Sequence, residues 1–241
     1  MQNYLVSTRL LDYHHTSIQN LVEARGWLAM SERERTQVIY LFVRDEILFG
    51  YNIDDAIPAS RVLADGYGQC NTKGTLFMAL LRACHIPCRI HGFTIDKHLQ
   101  YGAMTGLVYR KAPSNVLHSW VEVWQDGRWY ELEGFILDSL YLSALQHQFV
   151  PNADGSFCGY GVAISNFMNP PIDFNCCNTY IQRDGINQDF GVFNSPDELL
   201  SSHQQDMHGL KRFAYHHLGR HLMNHNVNCI RRSLNHLIAH E

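Results

Sequence analysis

The sequence predicts an α+β protein in which one helix packs on an antiparallel sheet. Three observations carry that expectation. Helical spacing of apolar residues dominates 15–50 and resumes after Cys70; a β-like stretch with a clear hairpin fills 88–133; helical signals return beyond 138. The 241 residues are 46% hydrophobic and 17% charged, which is ample for a core. No repeat, low-complexity run or linker divides the chain, so a single domain over 1–241 is expected.

Helices are expected over 15–30 and 31–50. In the second, Ser31 can cap, Glu32 and Glu34 suit the positive end of the helix dipole, and Val38, Leu41, Phe42 and Ile47 form a stripe. A loop rich in Gly, Pro and Asp leads to Cys70. The next segment reads as a helix with Leu76, Phe77, Leu80, Leu81 and Cys84 on its apolar face, limited by Pro87. Strands are expected at CRIHGFTI and YGAMTGLVYR. Trp120, Glu122 and Trp124 then alternate with Val121 and Val123, Asp126-Gly127 supplies a turn, and Trp129 to Glu133 returns. Residues 138–148 read as helix and 150–193 as an irregular stretch suited to shaping a substrate site, with Phe157, Tyr160 and Phe174 as contacts. Helices follow at 195–203 and from about Lys211 to the end.

The formal charge of −4, from 19 basic and 23 acidic residues, gives no footprint for nucleic acid. No apolar run approaches the ~20 residues of a membrane span. The first residues do not read as an export signal, and the seven cysteines are an odd number; together these predict reduced thiols and a cytoplasmic location.

Cys70 lies where a Gly-rich loop turns into a helix, whose first N–H groups would stabilise a thiolate and an oxyanion. Gly66 and Gly68 allow backbone to approach closely. His118 begins the hairpin and Glu133 ends it, so folding at the turn brings them close to opposite each other. A carboxylate beside an imidazole fixes its tautomer, and the imidazole activates a thiol. Taken singly, a buried structural cysteine, an ordinary strand histidine and a solvated strand-end charge are the favoured readings of these residues.

Jointly they match a family. Gly66-Tyr67-Gly68-Gln69-Cys70, then His85-Ile86-Pro87-Cys88-Arg89, then His118-Ser119-Trp120-Val121-Glu122, and Trp129 with Glu133 resemble the transglutaminase-like superfamily over about residues 36–135. The resemblance implies a papain-like α+β fold: a catalytic core at 36–135, with an N-terminal helical segment (1–35) and a C-terminal extension (136–241). It implies Cys70 as nucleophile, His118 as general base and acid, and Glu133 as orienting carboxylate. Glu133 stands where the family has Asp, which makes Asp138 a second candidate partner for His118. His85 replaces a Gly. The family's aromatic turn before the nucleophile falls at Tyr51, an oxyanion-donor candidate, and Gln69 is another.

The function so implied is a cysteine enzyme that forms a thioacyl intermediate on an amide or thioester, with hydrolysis or transfer to an amine. The alternatives are an amide-forming acyltransferase of a biosynthetic pathway and a non-enzymatic binding module on the same fold. The expected partners are a peptide, protein or small-molecule acyl substrate and an amine acceptor, without metal or organic cofactor. His217, His221 and His225 share a helical stripe that could hold Zn²⁺, but no acidic motif accompanies them. Cys176-Cys177 and the Cys84/Cys88 pair read as structural thiols.

Overall fold

The computed structural model describes residues 1–203 and 214–238. Two helices come first, α1 (Thr16–Ala24) and α2 (Glu32–Asp45). The helix expected over 15–30 stops at Ala24, because Gly26 takes φ 63° and the chain continues as a 3-10 turn over Trp27–Ala29. Helix α2 starts as expected. The Ser31 backbone N–H donates to the Glu34 carboxylate at 3.0 Å, and Glu34 N–H donates back to Ser31 Oγ at 3.4 Å. It ends sooner than expected, since Leu48–Phe49 form a short strand, β1.

The stretch before Cys70 is not loop throughout. It holds α3 (Ala59–Asp65), closed by Gly66 at φ 70°, and β2 (Tyr67–Gly68), which pairs in parallel with β1. A side chain at Gly68 would put its Cβ 2.6 Å from Thr72 Oγ1, so the close approach expected of that glycine is real. Then comes α4 (Cys70–Ala83), buried along its whole length.

Apolar periodicity alone predicts one buried face. The polar residues of α4 are buried as well because each finds a partner. Lys73 Nζ donates to the carbonyls of Arg44 (3.1 Å) and Ile136 (3.0 Å). Thr72 Oγ1 donates to Asn52 Oδ1 (2.6 Å). The Arg82 guanidinium donates to the carbonyls of Val6, Cys88 and Asn194. Beyond α4, His85 is exposed at φ 62°, a left-handed conformation natural to the glycine that the resemblance leads one to expect there.

Strand β3 (Cys88–Asp96) follows. The strand expected at 101–110 is absent. Its tyrosines and valine favour extended chain, but Asp96 caps a 3-10 turn at Lys97–Gln100, and Gly102 and Gly106 take φ 92° and 55°. The segment therefore continues as α5 (Gly106–Lys111). The hairpin forms as expected from β4 (Asn115–Gln125) and β5 (Arg128–Leu132). Its turn has Asp126 at φ 52° and Gly127 at φ 80°, the primed geometry that suits strand twist. Helix α6 (Ser139–Gln148) is capped by Asp138, whose carboxylate accepts Tyr141 N–H at 2.9 Å.

Residues 150–193 are more regular than expected. They contain a small hairpin, β6 (Phe157–Gly159) with β7 (Val162–Ile164), and β8 (Ile186–Phe193), which lies against β3 in the main sheet. The sheet order is β5-β4-β3-β8, antiparallel throughout. Strand β8 escaped notice because it is a polar edge strand with irregular register, and little apolar alternation marks it. Of the aromatic residues expected to meet substrate, the partly exposed Phe157 stacks on Phe167 at 4.2 Å and Tyr160 lies 4.5 Å from Phe149, while the buried Phe174 meets Tyr40 and Tyr130.

Helix α7 (Pro196–Ser202) matches the helix expected at 195–203. Of the helix expected from Lys211 to the end, residues 211–213 and 239–241 lie outside the described residues. The rest is a π-helical turn (Tyr215–Gly219) followed by α8 (Arg220–Ile238). One hydrophobic cluster runs from Leu11 to Leu234 around α4, and each fully buried Leu or Phe within it contributes about 1.5–3 kcal/mol. Among the described residues no helix is long and apolar enough to cross a membrane.

Candidate active site

The short strand β2 delivers the chain to Cys70, the first residue of α4, which is 8% exposed. The loop before it is held from several sides. Gln69 N–H donates to Thr72 Oγ1 (3.0 Å), Gln69 Oε1 accepts Asn52 N–H (2.9 Å), and Gln69 Nε2 donates to Asp55 (2.9 Å). In the first turn of a helix the amides have no intrahelical acceptor, so the Cys70 N–H is placed to serve an incoming oxygen.

Asn71 couples this helix to the histidine strand. Its Nδ2 donates to the Leu117 carbonyl (3.3 Å), and its Oδ1 accepts from Ser119 Oγ (2.8 Å). Those two residues flank His118, so one amide ties the residue after Cys70 to the strand on both sides of the imidazole. Sequence reasoning passed over Asn71. Its signal was a polar residue beside the cysteine on a helix otherwise rich in apolar neighbours.

His118 and Glu133 are fully buried, and His118 Nε2 donates to Glu133 Oε1 at 2.6 Å. The β4–β5 ladder ends at Val121–Leu132, short of His118. The contact is therefore made just beyond the paired strands, where the chain leaves β5. Glu133 was expected to be a strand-end charge near water if it had no role; the structure encloses it. Its Oε2 accepts the backbone N–H groups of Ile181 (2.8 Å) and Gln182 (2.9 Å).

Nδ1 of His118 carries no hydrogen bond of ordinary geometry and lies beside Cys70. Burial opposes the imidazolium, yet the charge and hydrogen bonding of Cys70 and Glu133 outweigh it and raise His118 from 6.5 to about 10. At neutral pH the ring is positively charged, between Cys70 and Glu133.

Asp138, the alternative partner, is engaged elsewhere. Its carboxylate accepts Phe49 N–H at 2.9 Å and pairs with Arg231 at 2.6 Å. Burial would raise its pKa, but Arg231 holds it below the usual carboxylate value. The Tyr51 hydroxyl is buried near Cys70 and donates to Gln100 Oε1 at 2.5 Å, while burial keeps it protonated.

Among the described residues no group of three or more His, Cys, Asp and Glu side chains is placed to hold a metal ion. The histidine stripe loses its regular spacing because His217 sits in the π-helical turn, and His225 Nε2 faces Cys229 Sγ at 3.5 Å. Cys84 and Cys88 are enclosed, and burial pushes the Cys84 thiol up to about 11.

A helix-borne thiol, a charged imidazole and a carboxylate that fixes the ring make up the constellation of thiol enzymes. Residues 20–134 match the family model described as the transglutaminase-like superfamily. The matched stretch contains Cys70, His118 and Glu133. A search of curated proteins gives no match. Among solved structures, a candidate cysteine protease from Cytophaga hutchinsonii aligns with 12% identity and a TM-score of 0.44, covering 81% of this chain and 47% of that one. Red sea bream transglutaminase aligns with 16% identity and a TM-score of 0.32, covering 77% of this chain and 37% of that one. The chain thus spans less than half the length of either.

Proposed function

We propose that the protein catalyses acyl transfer through a thioacyl intermediate on Cys70. The observation that carries this reading is the fully buried His118, which donates to Glu133 through one nitrogen and turns the other toward Cys70. The Cys70 thiolate attacks an amide or thioester carbonyl, and the Cys70 N–H stabilises the oxyanion. The bond from carbonyl carbon to nitrogen or sulfur breaks, and Nδ1–H of His118 protonates the leaving group. The neutral imidazole then takes a proton from water or an amine, whose attack on the thioester releases an acid or an amide and restores the thiolate.

Incubation with a panel of peptide amides and acyl thioesters, followed by peptide mapping, is expected to show a thioacyl adduct on Cys70. Cys158, Cys177 and Cys229 are exposed. Adducts confined to those thiols would refute the reading.

The charge on His118 also predicts a pH profile. A histidine whose pKa folding raises from 6.5 to about 10 lends its full stabilisation below 6.5 and loses it as pH rises through about 10. Acylation by an amide needs the same proton on Nδ1, so its rate should hold through neutrality and fall as pH passes about 10. A loss centred near pH 7 would show that Cys70 and Glu133 do not hold the ring charged.

A further inference from the structure

The family match ends at residue 134, yet the segment beside the nucleophile is held from its other side by a helix far beyond that limit. Residues 48–52 lie between two supports. On one edge β1 pairs with β2, Gly50 N–H donates to the Gly68 carbonyl (3.0 Å), and Asn52 binds Gln69 and Thr72. That edge leads directly into Cys70.

The other edge belongs to the C-terminal helix and the turn before it. Asn224 grips a single residue twice: its Oδ1 accepts Tyr51 N–H at 2.7 Å, and its Nδ2 donates to the Tyr51 carbonyl at 3.0 Å. This is the pairing a neighbouring strand would give, supplied by a side chain. Arg231 donates to the Phe49 carbonyl, and the Tyr215 hydroxyl donates to the Asn52 carbonyl at 3.0 Å. The fit is close, since a Cβ on Gly50 would stand 3.0 Å from Asn224 Oδ1. The same helix reaches the β3–β4 connection, where Asn226 Nδ2 donates to the Ala103 carbonyl at 3.3 Å.

We propose that α8 is a working part of the reaction centre and that Asn224 is a positioning residue for acyl transfer, acting through the backbone of Tyr51 on the oxyanion side of Cys70. The inference rests on the acyl-transfer reading above. Without Asn224, both backbone groups of the buried Tyr51 lose their partners, while Phe49 keeps Arg231 and Asp138 and Asn52 keeps Tyr215. The wall beside Cys70 then loosens, while the Cys70–His118–Glu133 contacts, which do not involve α8, stay in place.

That separation can be measured. Alkylation of Cys70 by iodoacetamide develops no oxyanion, whereas acetylation by p-nitrophenyl acetate passes through one. In full-length Asn224→Leu, acetylation of Cys70 is expected to slow by about 10- to 100-fold in its rate constant rather than in KM. Alkylation of Cys70, followed by peptide mapping, stays within about twofold of wild type. Equal losses in both rates would mark a purely structural role and overturn the proposal, as would unchanged acetylation. If Asn224→Leu does not fold, Asn224→Asp decides: it keeps the acceptor for Tyr51 N–H but sets an oxygen against the Tyr51 carbonyl, and the same split is expected. A wild-type protein that never acetylates Cys70 would instead overturn the acyl-transfer reading, and this proposal with it.

Discussion

Cys70→Ala is expected to lower turnover by about 10⁵–10⁶-fold, because in the proposed reaction the thioacyl bond forms on its sulfur. Cys70 is a small, nearly enclosed side chain, so the loss of one sulfur should cost only about 1 kcal/mol of stability. The substitution has a second readout. Cys70 helps keep His118 protonated, so the imidazole pKa should drop in the variant, visible by NMR titration of the ring. Retention of even a hundredth of wild-type turnover would place the nucleophile elsewhere. An unmoved His118 titration would mean that thiol and ring do not interact.

Glu133→Gln carries the other large effect, and the cause lies in the backbone around it. The oxygen facing Ile181 and Gln182 accepts two N–H groups, so a glutamine must put its carbonyl there. Its NH₂ then points at His118 Nε2, which today donates. To accept that donor the ring must give up its Nε2 proton and keep only the one on Nδ1, so the imidazolium facing Cys70 is lost. A fall in kcat of about 10³–10⁴-fold is expected. Because Glu133 is buried rather than solvated, stability drops too, by about 1–3 kcal/mol, and thermal unfolding should be followed beside kcat. Glu133→Asp keeps the tautomer but withdraws the carboxylate by one methylene, and an intermediate loss is expected. Near-normal kcat in Glu133→Gln would remove the carboxylate from the mechanism.

Local sequence carried the parts of this site that have local signatures. A glycine-flanked cysteine entering a helix, and a hairpin with Asp126-Gly127 at its turn, are both written in neighbouring residues. Where Glu133 finds its support is not. Ile181 and Gln182 contribute backbone N–H groups, and any residue but proline carries one. Asn224 was equally hidden, since an asparagine on a distant helix says nothing about which backbone it will grip. Strand β8 and helix α5 were misread for related reasons: an edge strand needs no apolar alternation, and two glycines with positive φ overrode the extended preference of Tyr and Val.

Arg82 extends the same reasoning to the order in which the chain can acquire its shape. Its guanidinium is almost wholly buried in α4, and its acceptors come from Val6, Cys88 and Asn194. Burying that charge while one acceptor is still missing would cost several kcal/mol, on the order of 1–3 kcal/mol for each unmet hydrogen bond and more for a charged group. During synthesis the helix emerges long before residue 194. That end of α4 is therefore expected to stay solvated, or shielded by another protein, until the late carbonyl has left the ribosome.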